Sequence, residues 1–231
     1  MNCGSLLELV QGLLERTYRM STGVQEIGRF VIGDEGYRTL YREVHAVASG
    51  SAFSPSGRGA RTLVRETEEG VRACIYYPDE MIHRLEVHPP LWGLGDENVD
   101  EFATLVEELD HLLCIAERSR ENRPLTLFEL ELHANVSKYL VLSRFLSGPG
   151  RPLNGRRRTW LLYHLFHKGT AGGEDAEVRA RYRDAARWAL RLLEVSSQMT
   201  PPMRRVETLR RFHAATASGK LELIERLSSA R

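Results

Sequence analysis

Residues 125–147 read LTLFELELHANVSKYLVLSRFLS. In a helix with this sequence, apolar side chains fall on every side instead of along one stripe, which is typical of a helix buried in a core. The preceding segment, residues 98–120, also has helical spacing, and Pro124 ends the short link between the two segments. We therefore predict a long antiparallel helical hairpin in which the helix over 125–147 is the most buried element.

The rest of the second half is helical in its apolar spacing, with glycine and proline at the breaks. Its predicted helices span residues 156–168, 175–197, 202–215 and 219–228. In the first half, the apolar stripe over Leu6 to Tyr18 predicts one helix, and shorter helices are expected through Val24, Ile27 and Val31 and over Tyr37 to Val47.

One stretch of the first half has the residue pattern of β-strands. Residues 62–67 and 71–77 read as two strands joined by a turn that contains Gly70. Because an isolated hairpin is marginal in water, this one must lie on a helix or join another strand. The predicted fold is mostly α, a multi-helix bundle around the long helical hairpin with a small N-terminal part that contains the β-hairpin. We place the division near residue 90, with an α+β part over 1–90 that need not fold alone and a helical bundle domain over 91–231.

Composition and cysteine usage narrow the class of protein. A chain of 231 residues with 42% hydrophobic and 27% charged residues is ordinary for a globular protein. Cys3, Cys74 and Cys114 are too scattered for a disulfide framework or a zinc-thiolate motif, which favours a reducing compartment. No run approaches the roughly 20 apolar residues of a membrane span, and the N-terminus lacks a signal pattern. We expect a bacterial, cytoplasmic protein with no membrane partner; its preference for arginine over lysine suits a GC-rich genome.

The charges are distributed unevenly along the chain. Residues 1–147 carry 15 basic and 23 acidic groups, whereas residues 148–231 carry 17 basic and 8 acidic groups. The two parts either dock on each other or leave a basic face for a polyanion or another protein. Arg156, Arg157 and Arg158 open a helix at the end where its dipole is already positive. A bound anion would offset this conflict, so the three arginines are the candidate anion site, with plain solvation as the alternative.

The two long helices carry histidines and carboxylates that could bind a metal. In the antiparallel hairpin, paired residue numbers sum to about 246, which brings His133 within a turn of His111. Carboxylates precede both histidines by one turn, and helical bundles use such sets to hold divalent ions. The candidate metal ligands are Glu107, Glu108, His111, Glu129 and His133. The arrangement partly resembles the carboxylate-bridged di-metal bundles, with the single Glu-x-x-His set of Glu108 and His111. Alternatively, Glu107 and His111 are solvated, unless another element covers that side of their helix.

A polar stripe crosses the apolar helix. Glu131, Asn135 and Lys138 are spaced by four and three residues and therefore lie on one line along it. A buried carboxylate is either part of a structural hydrogen-bond network or a functional group with a raised pKa, and Glu131 is the candidate catalytic residue.

No common enzyme signature is present, including phosphate-binding loops and the His-Glu-x-x-His zinc motif. Two hypotheses follow. The first is an interaction or ligand-binding module that uses the basic C-terminal part. The alternative is a metal- or carboxylate-dependent enzyme built on the Glu/His cluster, with a divalent metal as its cofactor. The sequence does not decide whether the protein is an enzyme.

Overall fold

The computed structural model describes residues 3–47, 59–68, 70–148, 153–168 and 176–229. Over these residues the protein is mostly helical, with one small three-stranded sheet, as predicted. The helices are α1 (Cys3–Tyr18), α2 (Asp34–Val47), α3 (Asp79–Val87), α4 (Val99–Arg120), α5 (Leu127–Ser147), α6 (Gly155–Leu162), α7 (Ala176–Ser197), α8 (Pro202–Ala214) and α9 (Ala217–Ser229). The strands are β1 (Val31–Ile32), β2 (Arg61–Thr67) and β3 (Gly70–Tyr76). None of the helices in the described ranges has the length and apolar character needed to cross a membrane.

The α4–α5 pair forms the predicted antiparallel hairpin. A capping box starts α5, because the Thr126 side chain accepts a hydrogen bond from the Glu129 amide and the Glu129 carboxylate accepts one from the Thr126 amide. Across the hairpin, Lys138 Nζ lies 2.9 Å from Glu107 Oε2, in agreement with the predicted register.

Helix α5 is the centre of the molecule. It packs most extensively against α4 and α7, and α1 and α6 also contact it. Leu132 and Val136 are completely buried, and the half-buried Phe145 ring packs on Phe102 with 4.7 Å between centroids. Because apolar residues surround its axis, α5 buries side chains against neighbours on several sides, and the prediction for this helix is confirmed.

The β-hairpin both joins a strand and lies on a helix. β2 and β3 pair antiparallel, β1 adds parallel to the other edge of β3, and the strand order is β1-β3-β2. The sheet packs on α4, where the Tyr77 hydroxyl donates to the Leu105 carbonyl oxygen at 2.7 Å.

Three local predictions differ from the structure. The short helix expected through Val24, Ile27 and Val31 is wrong: only a 3₁₀ turn forms, at Ile27–Phe30, and Val31 begins β1. Positive φ angles at Gly23 and Glu26 interrupt the helical backbone there. Helix α3 was not predicted. The helix expected over 156–168 is α-helical only to Leu162 and ends in a π-helical turn, Tyr163–His167.

Helix α1 connects the N-terminal residues to the rest of the chain. It packs against α4 and α8, and the Tyr18 hydroxyl lies 2.9 Å from Ser137 Oγ on α5. The division of the chain near residue 90 stays a prediction.

Candidate functional site

The hairpin distributes its polar residues between two clusters on opposite sides of α5. Residues two apart on a helix point about 200° apart, so Glu131 and His133 cannot enter the same cluster. The outer cluster consists of Glu107, Glu108, His111, Glu131 and Lys138. The inner cluster consists of Asp110, Cys114, Glu117, His133 and His213.

The candidate metal ligands named from the sequence are therefore separated. Glu107, Glu108 and His111 come together with Glu131, the candidate catalytic residue, in the outer cluster. His133 joins the inner cluster. Glu129 belongs to neither, because its carboxylate completes the α5 capping box and forms an ion pair with Lys220 at 3.2 Å.

Glu108 contacts the imidazole of His111 in the outer cluster. His111 Nδ1 lies 3.6 Å from Glu108 Oε2, and the Thr62 hydroxyl of β2 donates to the same carboxylate oxygen at 2.8 Å. The side chains of His111 and Glu108 are 11% and 12% exposed. Since β2 packs on this side of α4, the histidine side chain is largely shielded from solvent.

Two buried atoms of the outer cluster have no hydrogen-bond partner: His111 Nε2 and Glu131 Oε2. Glu131 is only 5% exposed. One ligand atom from each of Glu107, His111 and Glu131 lies within 4.8 Å of the other two. Leaving a buried polar atom unpaired costs about 1 to 3 kcal/mol, and such atoms in a native protein are commonly explained by a water or an ion.

Burial and charge shift the titration of the outer cluster. Burial raises the pKa of Glu131 to about 7, and the Glu107 carboxylate adds to the rise, while His111, Lys138 and a hydrogen bond from Tyr182 oppose it. Burial lowers the pKa of His111, but the neighbouring carboxylates, above all Glu108, outweigh it and raise the value to about 9. The outer cluster thus holds three carboxyl groups but only two cations, His111 and Lys138.

The inner cluster is a continuous chain of polar contacts. His133 Nδ1 lies 2.8 Å from Asp110 Oδ2, His133 Nε2 lies 3.0 Å from His213 Nδ1, and His213 Nε2 lies 2.6 Å from Glu117 Oε2. Cys114 Sγ lies 3.4 Å from His133 Nδ1. These side chains come from α4, α5 and α8, and all five residues are buried.

Aromatic rings close the inner cluster. The Tyr18 ring lies over His133 at 4.4 Å and beside His213 at 5.4 Å, measured between centroids. The Phe212 ring stacks parallel to His133 at 5.8 Å. Burial strongly raises the pKa of the Cys114 thiol, so in this environment the sulfur keeps its proton unless a cation binds it.

Three cations cap the carboxyl end of α8, next to the inner cluster. Arg118 donates to the His213 carbonyl oxygen at 2.9 Å, Arg123 donates to that of Ala214 at 2.7 Å, and Lys220 donates to that of Ala215 at 2.6 Å. Positive charge is favourable at this end of a helix dipole. Lys220 is 1% exposed, and burial lowers its pKa while Glu129 opposes the shift.

The three arginines at the start of α6 are not equivalent. Arg156 and Arg157 are exposed, whereas Arg158 is half-buried and its Nε atom has no partner. The Arg157 guanidinium donates to the Leu146 carbonyl oxygen at 2.7 Å, in the last turn of α5. This carbonyl lies at the negative end of the α5 dipole, so one arginine is stabilised without an anion.

Sequence patterns missed most of the inner cluster. Asp110 carried a usable signal, because it interrupts the apolar stripe of α4 between Leu109 and Leu112, where a charged residue needs a buried partner. His213 carried none, since it reaches His133 only through the packing of α8. The chain matches no protein-family model, no curated protein and no solved structure, so its function is argued from its own residues alone.

Proposed function

We propose that this protein binds a divalent metal ion in the outer cluster, with Glu107, His111 and Glu131 as ligands, and that it works as a metal-dependent enzyme. The observation that carries the proposal is the pair of unpartnered buried atoms, His111 Nε2 and Glu131 Oε2. A cation between them would satisfy both atoms and neutralise carboxylates that are otherwise crowded together.

The surroundings of His111 fit a ligand better than a structural histidine. Histidines that bind metals usually place the other ring nitrogen against a carboxylate, which fixes the tautomer and the ring orientation. Glu108 takes this position at Nδ1 and is itself held by Thr62. Nε2 is therefore the ligand atom.

The donor set indicates the class of ion. Two carboxylates and one imidazole suit Mn²⁺, Fe²⁺, Co²⁺ or Zn²⁺ and give no preference for a thiophilic ion. Three protein ligands leave coordination positions for water or a substrate, as catalytic sites do, and the Glu107 side chain is 22% exposed.

The test is calorimetric titration of chelator-treated full-length protein with Mn²⁺, an ion that thiols do not favour. We expect one binding event, lost in His111→Ala and in Glu131→Gln. His83→Ala is the matched control, because His83 is exposed on α3 outside both clusters. Absence of Mn²⁺, Co²⁺ and Zn²⁺ binding at this cluster, or equal binding by His111→Ala, would refute the proposal.

A second candidate function is an interaction module for a polyanion or another protein. It is favoured by the exposed Arg156 and Arg157 within the basic C-terminal part. We also propose the bacterial cytoplasm as the compartment, since a reducing environment keeps Cys74 and Cys114 as free thiols.

A further inference from the structure

Three potential ligand atoms surround one point in the inner cluster. Cys114 Sγ lies 3.4 Å from His133 Nδ1 and 3.9 Å from Asp110 Oδ2, and the latter two atoms are 2.8 Å apart. In tetrahedral zinc sites, with Zn–S near 2.3 Å and Zn–N near 2.0 Å, neighbouring ligand atoms are roughly 3.3 to 3.6 Å apart. The distance from Cys114 Sγ to His133 Nδ1 fits this range, whereas the Asp110–His133 hydrogen bond must open when an ion enters. All three residues are more than nine-tenths buried.

Counting protons shows that the chain of contacts holds one positive charge beyond two neutral imidazoles. Three hydrogen bonds run in series from Asp110 through His133 and His213 to Glu117, and each requires one proton. Two neutral imidazoles supply only two protons. The third proton makes one imidazole a cation buried between two carboxylates, unless a metal ion takes its place.

We infer that the inner cluster is a closed metal centre, in which Cys114 Sγ, His133 Nδ1 and Asp110 bind a thiophilic divalent ion of the Zn²⁺ type. The ion replaces the third proton. His133 Nε2–H then donates to His213 Nδ1, and His213 Nε2–H donates to Glu117, so that both imidazoles are neutral and both hydrogen bonds are satisfied. Binding releases two protons per ion, one from the thiol and one from the Asp110–His133 contact.

Burial and the Asp110 and Glu117 carboxylates raise the pKa of the Cys114 thiol, while Lys220 and Arg118 oppose the rise, so a thiolate forms here only when a cation binds the sulfur. Ser137 Oγ lies 3.5 Å from His133 Nδ1 and 2.9 Å from the Tyr18 hydroxyl oxygen. Because Tyr18 and Phe212 cover the imidazole, the centre has no open side for a substrate and its role is structural. It would join α4 to α5 directly and to α8 through His213.

This site is independent of the outer cluster and can be tested separately. Co²⁺ is supplied during expression and again to chelator-treated protein, and the thiolate-to-metal absorption band is recorded. The outer cluster has no sulfur ligand, so the band reports only the inner cluster. We expect the thiolate band to be complete by two equivalents of Co²⁺, because the outer cluster also accepts this ion, and to be lost in Cys114→Ser. Replacing both other cysteines, in Cys3→Ser/Cys74→Ser, should leave it unchanged, as should His111→Ala.

His213 needs its own variant, because ligand atoms of Cys114, His133 and His213 also lie within 4.8 Å of one another. As a partner of His133 rather than a ligand, His213→Gln should keep the band while metal affinity falls about 10- to 100-fold. Asp110→Asn should lose the ion. A band abolished by His213→Gln but kept by Asp110→Asn would overturn the ligand assignment. The absence of any thiolate band in the wild-type protein would overturn the metal centre itself, whether or not the variants fold.

Discussion

Glu131 and His133 are two residues apart on α5 but belong to different clusters. Only His133 has a hydrogen-bond partner for each of its polar side-chain atoms. Glu131 Oε2 is buried without a partner, whereas both ring nitrogens of His133 have partners, at Asp110 and at His213. The unsatisfied side of α5 is where the proposed function lies. The satisfied side is tied to α4 and α8.

Glu108 is expected to control metal affinity without being a ligand. Glu108→Gln keeps the shape of the side chain but weakens the hold on His111 Nδ1, so the affinity for Mn²⁺ should fall about 10- to 100-fold. The matched control is Glu86→Gln, since Glu86 is exposed on α3. Titration calorimetry measures both variants. Unchanged affinity in Glu108→Gln would mean that Glu108 does not orient the imidazole.

Glu131 should contribute a loss of stability to the metal-free protein as the pH rises toward neutrality. A carboxyl whose native pKa is raised from 4.5 to about 7 binds its proton more tightly in the folded state. The folded state therefore loses stability as the pH rises from 4.5 to 7, and the loss persists above that range. Such a shift corresponds to at most about 3 kcal/mol.

The Glu131→Gln variant tests this expectation. In chelator-treated protein it should be more stable than the wild type by about 1 to 3 kcal/mol at pH 8, with the difference vanishing near pH 4. Denaturant midpoints across this pH range measure it. A difference that stays constant with pH would show that Glu131 does not titrate differently in the folded and unfolded states.

Lys220 is expected to be the most sensitive lysine of the chain. Lys220→Ala removes the ammonium that pairs with the buried Glu129 carboxylate and donates to the Ala215 carbonyl oxygen, which should cost about 3 to 5 kcal/mol of unfolding free energy. Lys168→Ala is the control, since Lys168 pairs with Asp100 on the surface. Chemical denaturation should show a large shift for the first variant and almost none for the second.

Polyanion binding, if it occurs, should depend on Arg156 and Arg157. Each lost phosphate contact lowers the salt-dependence slope by about 0.9 on double-stranded DNA, so Arg156→Ala/Arg157→Ala should weaken binding and flatten that slope. Arg38→Ala/Arg65→Ala removes the same charge from exposed positions in the acidic part of the chain. Fluorescence anisotropy measures the affinity of both double variants for DNA. If both lost the same affinity, the binding would be non-specific electrostatic attraction.

The helical hairpin was predictable because its signal is local. A helix over residues 125–147 has apolar side chains on all sides and therefore needs neighbours on all sides. Pro124 ends the short link between this helix and the preceding one. The contact between Glu107 and Lys138 agrees with the predicted register. Short elements such as α3 carry too few residues for a periodic pattern to identify them.

The composition of the clusters was only partly predictable. The three- and four-residue spacing of Glu107, Glu108 and His111 identified one side of α4 correctly. The expected meeting of His111 and His133 did not occur, because His133 lies on the side of α5 opposite to Glu131, which shares the outer cluster with His111. Reaching His213 from sequence would have required knowing how α8 packs, which is a tertiary property with no local signature.

The most direct measurement is the anomalous difference map of a crystal grown with Mn²⁺, recorded at a wavelength where manganese scatters anomalously. We expect a peak about 2.0 to 2.3 Å from His111 Nε2 and from oxygens of Glu107 and Glu131. A map without a peak at the outer cluster, in a crystal that contains Mn²⁺ at saturating concentration, would contradict the proposed metal site.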